Sequence, residues 1–395
     1  MKVAIIPLPP KFKGVTFWRI QQPYGYLRDV LGKDIFIYDP SVHDIARLKS
    51  EMMNADIIIY QSPNTEEVSS IVKRIIGLKT RRPKVVADYD DNLFNVSPWN
   101  AAYKDFGTKD FDVSYSEKEL VKELMSVVKE ELKSLIKINP DGSATITMWK
   151  DKTCGFYIED NLKRIKALQS IIEDADLITV TTQELSNEIR NHGPQGKIAI
   201  FPNLIDIARF RPMKKKNDGK LRIVWHGSTS HYQDLRMVSL ELTTFAINHP
   251  EVVYLIKGVK FPGFFNEIKD RVTWLPWDSD IDAYFLSLSE LSADIAICPL
   301  VDNEFNHAKS PLKWEEMSAM KVPCVCSPPV YSNFVEHGKT GLLAGDGQWG
   351  ACLEELLDPA KREQIGQNAF DEVKKRFSIE KAASFWKTLE DLVSD

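Results

Sequence analysis

The stretch Asn306-His307-Ala308-Lys309-Ser310-Pro311-Leu312-Lys313-Trp314-Glu315-Glu316-Met317 gathers two lysines, a hydroxyl, a proline and two adjacent carboxylates. Ser310 followed by Pro311 reads as a helix start: a hydroxyl cap, then a proline where no backbone donor is missed. Free amides and partial positive charge at such a terminus suit a phosphate. Lys309 sits just before the start. Lys313 and Glu316 are three residues apart and therefore share a face. The lysines would neutralise a diphosphate, and Glu316 would accept the hydroxyls of a ribose. The same spacing also describes a solvated helix with salt-bridged lysines, and spacing alone leaves both readings open.

The elements that must position these groups are short apolar runs. Val3-Ala4-Ile5-Ile6, Ile35 to Tyr38, Ala55 to Tyr60, Val85 to Ala87, Leu177 to Val180 and Ile198 to Phe201 form a first set. Leu221 to Trp225, Val252 to Ile256, Val272 to Leu275, Ile295 to Cys298 and Val322 to Cys326 form a second. Several lack period-two alternation, as expected of parallel strands buried on both faces. Charged amphipathic segments such as Glu66 to Leu78 lie between most of them, which predicts α/β halves with doubly wound sheets. The polar stretch Arg211 to Lys220 is the best linker candidate, so a ligand cleft is expected between the carboxyl ends of two sheets. One segment breaks the alternation: a charged helix from Glu117 to Ile136, then Asn139-Pro140-Asp141-Gly142 as the turn of a hairpin.

The chain has 395 residues and a formal net charge of −5. That balance argues against a constitutive nucleic-acid coat, although Arg74, Lys79, Arg81, Arg82 and Lys84 cluster in one stretch. No apolar run approaches the ~18 residues of a membrane helix, so no stable membrane insertion is expected. Five cysteines, an odd number without zinc-like spacing, predict a reduced, cytoplasmic protein with no disulfide framework. Asp88-Tyr89-Asp90-Asp91-Asn92 follows the Val85 strand, so its acids are expected at a sheet's carboxyl end. There they would act on substrate or merely cap the next helix.

Glu316 with Pro323 seven residues on, then Val335-Glu336-His337-Gly338-Lys339-Thr340-Gly341-Leu342-Leu343, resembles the E-A-x-A-x-G-x-P-V … V-x-x-G-x-x-G-x-L signature of retaining glycosyltransferases of family four. Phe201-Pro202-Asn203-Leu204-Ile205-Asp206 is similar to that family's interdomain segment, and Arg376-Phe377-Ser378 with the following helix to its tail. The likeness covers residues 170 to 395 and, more loosely, the first strand and loop. It implies the GT-B fold, with two Rossmann-like domains facing across a cleft and a C-terminal helix returning to the first. The expected divisions are 1–205, carrying an insertion at about 100–165, then 206–375 and 376–395. The implied activity is transfer of a sugar from a nucleotide-diphosphate sugar (UDP- or GDP-linked) with retention, using no metal or other cofactor.

The sequence departs from that family at two places. Ala308 stands where a glutamate is usual, so His307, Glu304 or a backbone amide would have to replace it, and His307 joins Asp90 and Asp91 as a catalytic candidate. The usual Gly-Arg and Lys-Gly pair is replaced by Gly227-Ser228-Thr229-Ser230-His231-Tyr232-Gln233-Asp234-Leu235, which resembles a divergent G-S-x-x-H-x-x-D-L branch. The phosphate-binding charge is then expected at Lys309 and Lys313, with Gly227, Ser228 and Ser230 as donors. His231 is either a phosphate donor or a structural histidine. The resemblance also places Gly14 and Arg19 near the donor phosphates, Arg19 being otherwise a surface residue on Trp18. It places Trp277 near the base, unless that ring is buried. Competing functions are a metal-dependent GT-A-type transferase using Asp88 and Asp90, or a nucleotide-sugar epimerase or binding protein. The acceptor is open: a glycan, lipid, protein or phage-type modified DNA base.

Overall fold

The computed structural model describes residues 1–395 except 9–12, 63–69, 71–73, 75–76, 78–81, 116–135, 212, 214, 259, 261–262 and 395. Strands β1 (Lys2–Ile6), β2 (Asp34–Ile37), β3 (Ile57–Gln61) and β4 (Lys84–Tyr89) begin a first sheet. Strands β5 (Phe111–Tyr115), β6 (Ile136–Ile138) and β7 (Ala144–Trp149) form a separate antiparallel sheet in the order β5-β7-β6. Strands β8 (Leu177–Val180) and β9 (Lys197–Ile200) complete the first sheet, which is parallel throughout and ordered β2-β1-β3-β4-β8-β9. A second parallel sheet contains β10 (Leu221–Gly227), β11 (Val252–Gly258), β12 (Val272–Pro276), β13 (Ile295–Cys298), β14 (Cys324–Cys326) and β15 (Leu342–Leu343), ordered β12-β11-β10-β13-β14-β15.

The continuous apolar runs are explained by burial on both faces: every residue of β3, β8, β10 and β13 is buried. The turn Asn139–Gly142 closes the β6–β7 hairpin, with Gly142 at φ 83° and its N–H bonded to the Asn139 carbonyl at 2.9 Å. The charged helix expected from Glu117 lies outside the described residues except for Ile136, which begins β6. The segment Glu66 to Leu78 and the basic cluster at 74–84 fall largely outside them too. Of that cluster, Arg82 is paired with Asp176 at 3.2 Å. All five cysteines are free thiols.

Two features, among several, join the halves. The chain recrosses at Ile205, whose amide bonds the Phe377 carbonyl while its carbonyl accepts from Ile379. The Ala382–Ser394 helix then buries Phe385, Trp386, Leu389 and Leu392 against Ile20, Tyr24 and Leu27 of the first half. Burial of such side chains stabilises by roughly 1.5–3 kcal/mol each. The second feature lies under the cleft. Phe17 and Trp18 pack against Phe210, Tyr284 and Phe285, and the Arg209 guanidinium stacks over Phe17 and Phe285 at 5.3 and 5.7 Å.

Phe17 to Gln21 form one π-helical turn, which buries Phe17, Trp18, Arg19 and Ile20 in succession. This corrects the expectation for Arg19. It is neither a surface residue nor a phosphate clamp. Its guanidinium is buried and binds both oxygens of Asp88, with the Phe201 carbonyl as a further acceptor. Thr179 donates to the same carboxylate at 2.7 Å. The pair ties the first helix to the carboxyl ends of β4 and β8. Burial lowers the Arg19 pKa, but the Asp88 charge and hydrogen bonds more than offset that.

Candidate active site

A cavity of about 330 Å³ opens between the carboxyl ends of the two sheets. Its second-half wall begins where β10 ends. A Cβ on Gly227 would lie 2.7 Å from the Trp225 ring and 3.2 Å from the His231 ring, so only glycine lets backbone pass here. Ser228 lines the cavity; Ser230 stands behind it, their hydroxyls 2.7 Å apart.

His231 is neither a free donor nor a simple cap. Its Nδ1 is 2.7 Å from Asp234 Oδ2 and its Nε2 is 3.0 Å from Lys313 Nζ. Burial first, then the charges of Lys313 and Lys309, push the His231 pKa down to about 3. The ring is therefore neutral at neutral pH. A neutral ring between a carboxylate and an ammonium satisfies both if it donates from Nδ1 to Asp234 and accepts at Nε2 from Lys313. Burial and neighbouring Lys309 bring Lys313 down to about 8.

Lys309, Ser310, Lys313 and Glu316 all line the same cavity. The helix runs Leu312–Ala319 with Pro311 as its N-cap residue and no side-chain cap. Ser310 therefore does not cap it, a correction with a clear cause. Its hydroxyl accepts from Asn203 Nδ2 at 2.9 Å, across the cleft. Ala308 is also drawn to the first half: its carbonyl accepts from Thr182 at 2.9 Å, and its methyl belongs to the buried cluster that includes Ala87, Tyr89 and Ile178. The side chain that stands where a glutamate was expected is thus buried against the opposite domain. Glu304 and His307 do not replace it. Neither lines the cavity, and exposed His307 bonds Asp302 at 2.5 Å.

Glu316 is 2% exposed and accepts from the Tyr284 hydroxyl at 2.8 Å, while its other oxygen lies 3.8 Å from His226 Nε2. Burial pushes its pKa up to about 8 despite that hydrogen bond, and burial with the Lys313 charge depresses His226 to about 3. Trp277, at 49% exposure, is not the buried ring of the alternative reading; it lines the cavity 5.6 Å from Tyr284. From the first half come Gly14, Asp90 and Asp91. Burial and the Asp91 charge hold the Asp90 carboxyl well above the usual range. Asp91 is also raised by burial, against the pull of Lys309.

Asp88 is absent from this wall because Arg19 and Thr179 occupy both its oxygens. An Asp88/Asp90 metal pair thereby loses its first ligand. Among the described residues, no group of three His, Cys, Asp or Glu side chains is placed to hold a metal ion. Nor does any helix among them have the length and apolarity to cross a membrane.

No protein-family model matches the chain, and no curated protein matches its sequence. Solved structures match its shape. Sucrose-phosphate synthase from Thermosynechococcus elongatus superposes with a TM-score of 0.57 at 14% identity, over 99% of this chain and 98% of that one. Anabaena HepE in complex with UDP gives 0.58 at 13% identity, over 99% and 100%. HepE with UDP-glucose gives 0.56 at 14%, again over 99% and 100%. The chain has the GT-B fold. In this GT-B chain the cavity also includes residues that sequence reasoning did not single out: Asn203, His226, Asp278 and Tyr284, with Phe17 and Trp18. Tyr284 carried no motif signal, and Asn203 was visible only inside the interdomain segment.

Proposed function

We propose that the protein transfers a glycosyl group from a nucleotide-diphosphate sugar to an acceptor nucleophile, with retention at the anomeric carbon. The observation that carries this reading is the convergence of Lys309, Lys313 and the open start of the Leu312–Ala319 helix on one cavity with Glu316. The HepE complexes with UDP and UDP-glucose support it through their shared fold.

In this reading the diphosphate lies against Gly227, Ser228 and the helix start, with the two ammonium groups balancing the charge that grows on the leaving group. Trp277 stacks on the base and Glu316 takes the ribose hydroxyls. The bond between the anomeric carbon and the leaving phosphate oxygen breaks, and the acceptor oxygen bonds the same face of that carbon. The acceptor's proton passes to the departing phosphate oxygen, so no enzymic nucleophile is required. Asp90 and Asp91 sit on the opposite wall, where the acceptor approaches. A glycan, lipid, protein or modified base meets the chemical demand equally.

Incubation with radiolabelled UDP- and GDP-sugars tests the reading. Release of nucleoside diphosphate by the wild type, lost in Lys309→Ala and Lys313→Ala, is expected. Turnover unchanged in both variants would remove the proposed role of the cavity. Product NMR that shows inverted anomeric configuration would remove retention.

A further inference from the structure

Asp234 is absent from the cavity wall, yet every polar contact it makes leads there. It lies in the first turn of the Tyr232–Asn248 helix and is 4% exposed. Oδ2 accepts from His231 Nδ1 at 2.7 Å. Oδ1 accepts from the Val301 amide at 2.8 Å and from Asn306 Nδ2 at 3.2 Å. One carboxylate therefore holds both the imidazole that contacts Lys313 and the loop that carries Lys309.

Which His231 nitrogen carries the proton follows from this arrangement. An acceptor-only carboxylate at Nδ1 requires N–H there, leaving Nε2 as a lone pair 3.0 Å from Lys313 Nζ. A neutral ring with N–H at Nε2 would instead oppose two donors, and Lys313 would be displaced. Other charged or titratable groups facing these three residues include Lys309, His226 from β10, Cys298 from β13, Glu316 and Tyr331. Asp234 remains anionic because the His231 hydrogen bond and Lys309 outweigh the effect of burial.

We propose that Asp234 is a positioning residue for the phosphate-binding cation: by fixing the Nδ1–H tautomer of His231, it aims the Lys313 ammonium into the cleft. The inference rests on the proposed donor site. It adds a requirement for a buried carboxylate that the ligand never touches, and explains why His231, at the N-cap, and Asp234, in the first turn of the same helix, stand three residues apart.

Asp234→Asn is a close isostere. Its carbonyl can still accept from Val301 and Asn306, while its amide presents N–H to His231 Nδ1 and favours the opposite tautomer. Two measurements on the whole 395-residue chain decide the matter. The first is the nitrogen-15 spectrum of histidine-labelled wild type and Asp234→Asn, with His231 assigned by its substitution. Wild type should show a neutral Nδ1–H ring and Asp234→Asn an Nε2–H ring. The second is calorimetric titration with UDP, in which Asp234→Asn should bind at least roughly tenfold more weakly, as expected for loss of one charge-assisted contact. Asp234→Glu, which keeps the carboxylate, should recover part of that loss.

A wild-type His231 that is Nε2–H or doubly protonated at neutral pH overturns the inference, whether or not the variant folds. UDP affinity within twofold of wild type in a folded Asp234→Asn also overturns it. If wild type itself does not bind UDP, the donor-site reading fails instead, whatever tautomer His231 shows.

Discussion

Replacing Glu315 by glutamine should stabilise the protein, and increasingly so as pH rises. Glu315 precedes the candidate ribose-binding Glu316 but faces away from the cavity. It is 0% exposed, and neither of its carboxylate oxygens has a hydrogen-bond partner among the described residues. Burial, with the neighbouring Glu316 charge, pushes its pKa well above 4.5, its ordinary value. The nearby Arg376 guanidinium pulls the other way, but it stacks on Phe377 and pairs with Glu372. The folded protein therefore keeps a proton that the unfolded chain loses above pH 4.5, and stability falls as pH rises from there toward the folded pKa. The loss can be no steeper than about 1.4 kcal/mol per pH unit for one proton. Glu315→Gln keeps the shape and abolishes that dependence. Urea unfolding followed by tryptophan fluorescence at about pH 5, 6 and 7 should show an advantage for the variant that widens as pH rises. An advantage independent of pH, or a variant less stable throughout, would refute the assignment of a protonated, unpartnered carboxyl.

Three other outcomes follow from the same geometry. Arg19→Met strands a buried carboxylate and should cost about 3–5 kcal/mol; a thermal midpoint close to wild type would contradict the structural role given to the pair. Trp277→Ala should weaken UDP binding by about 1–3 kcal/mol if the base stacks there, and UDP should quench wild-type fluorescence more than that of the variant. UDP-glucose affinity should rise from about pH 6 toward 8 as Glu316 ionises, then fall as Lys313 loses its charge, since both titrate at about 8. An affinity flat over that range would separate the ribose contact from Glu316.

Much of the frame was legible because two-sided burial leaves an unambiguous record. The apolar runs that became β3, β8, β10 and β13 have no polar alternation, and the polar stretch before Leu221 marks the passage between sheets. The Lys309 to Glu316 segment was legible because its groups are local, within two helical turns of one another. What escaped was non-local. Arg19 meets Asp88 across 69 residues, and nothing in either neighbourhood names the other. Ser310 loses its cap role to Asn203, 107 residues away. His307 stands two positions before cavity-lining Lys309, but the short Glu304–His307 turn leaves it exposed beside Asp302. Tyr284 reaches Glu316 from a helix whose sequence gives only an amphipathic pattern.

The proposed nucleoside diphosphate site lies against the residues following Ser310, between Lys309, Lys313 and the Gly227 loop. A crystal grown with UDP tests this directly. Phosphate oxygens are expected within hydrogen-bonding distance of Lys313 and the Ser228 loop, with the ribose at Glu316. UDP seated outside the cleft, or a saturating soak that leaves this cavity holding only solvent, would contradict it.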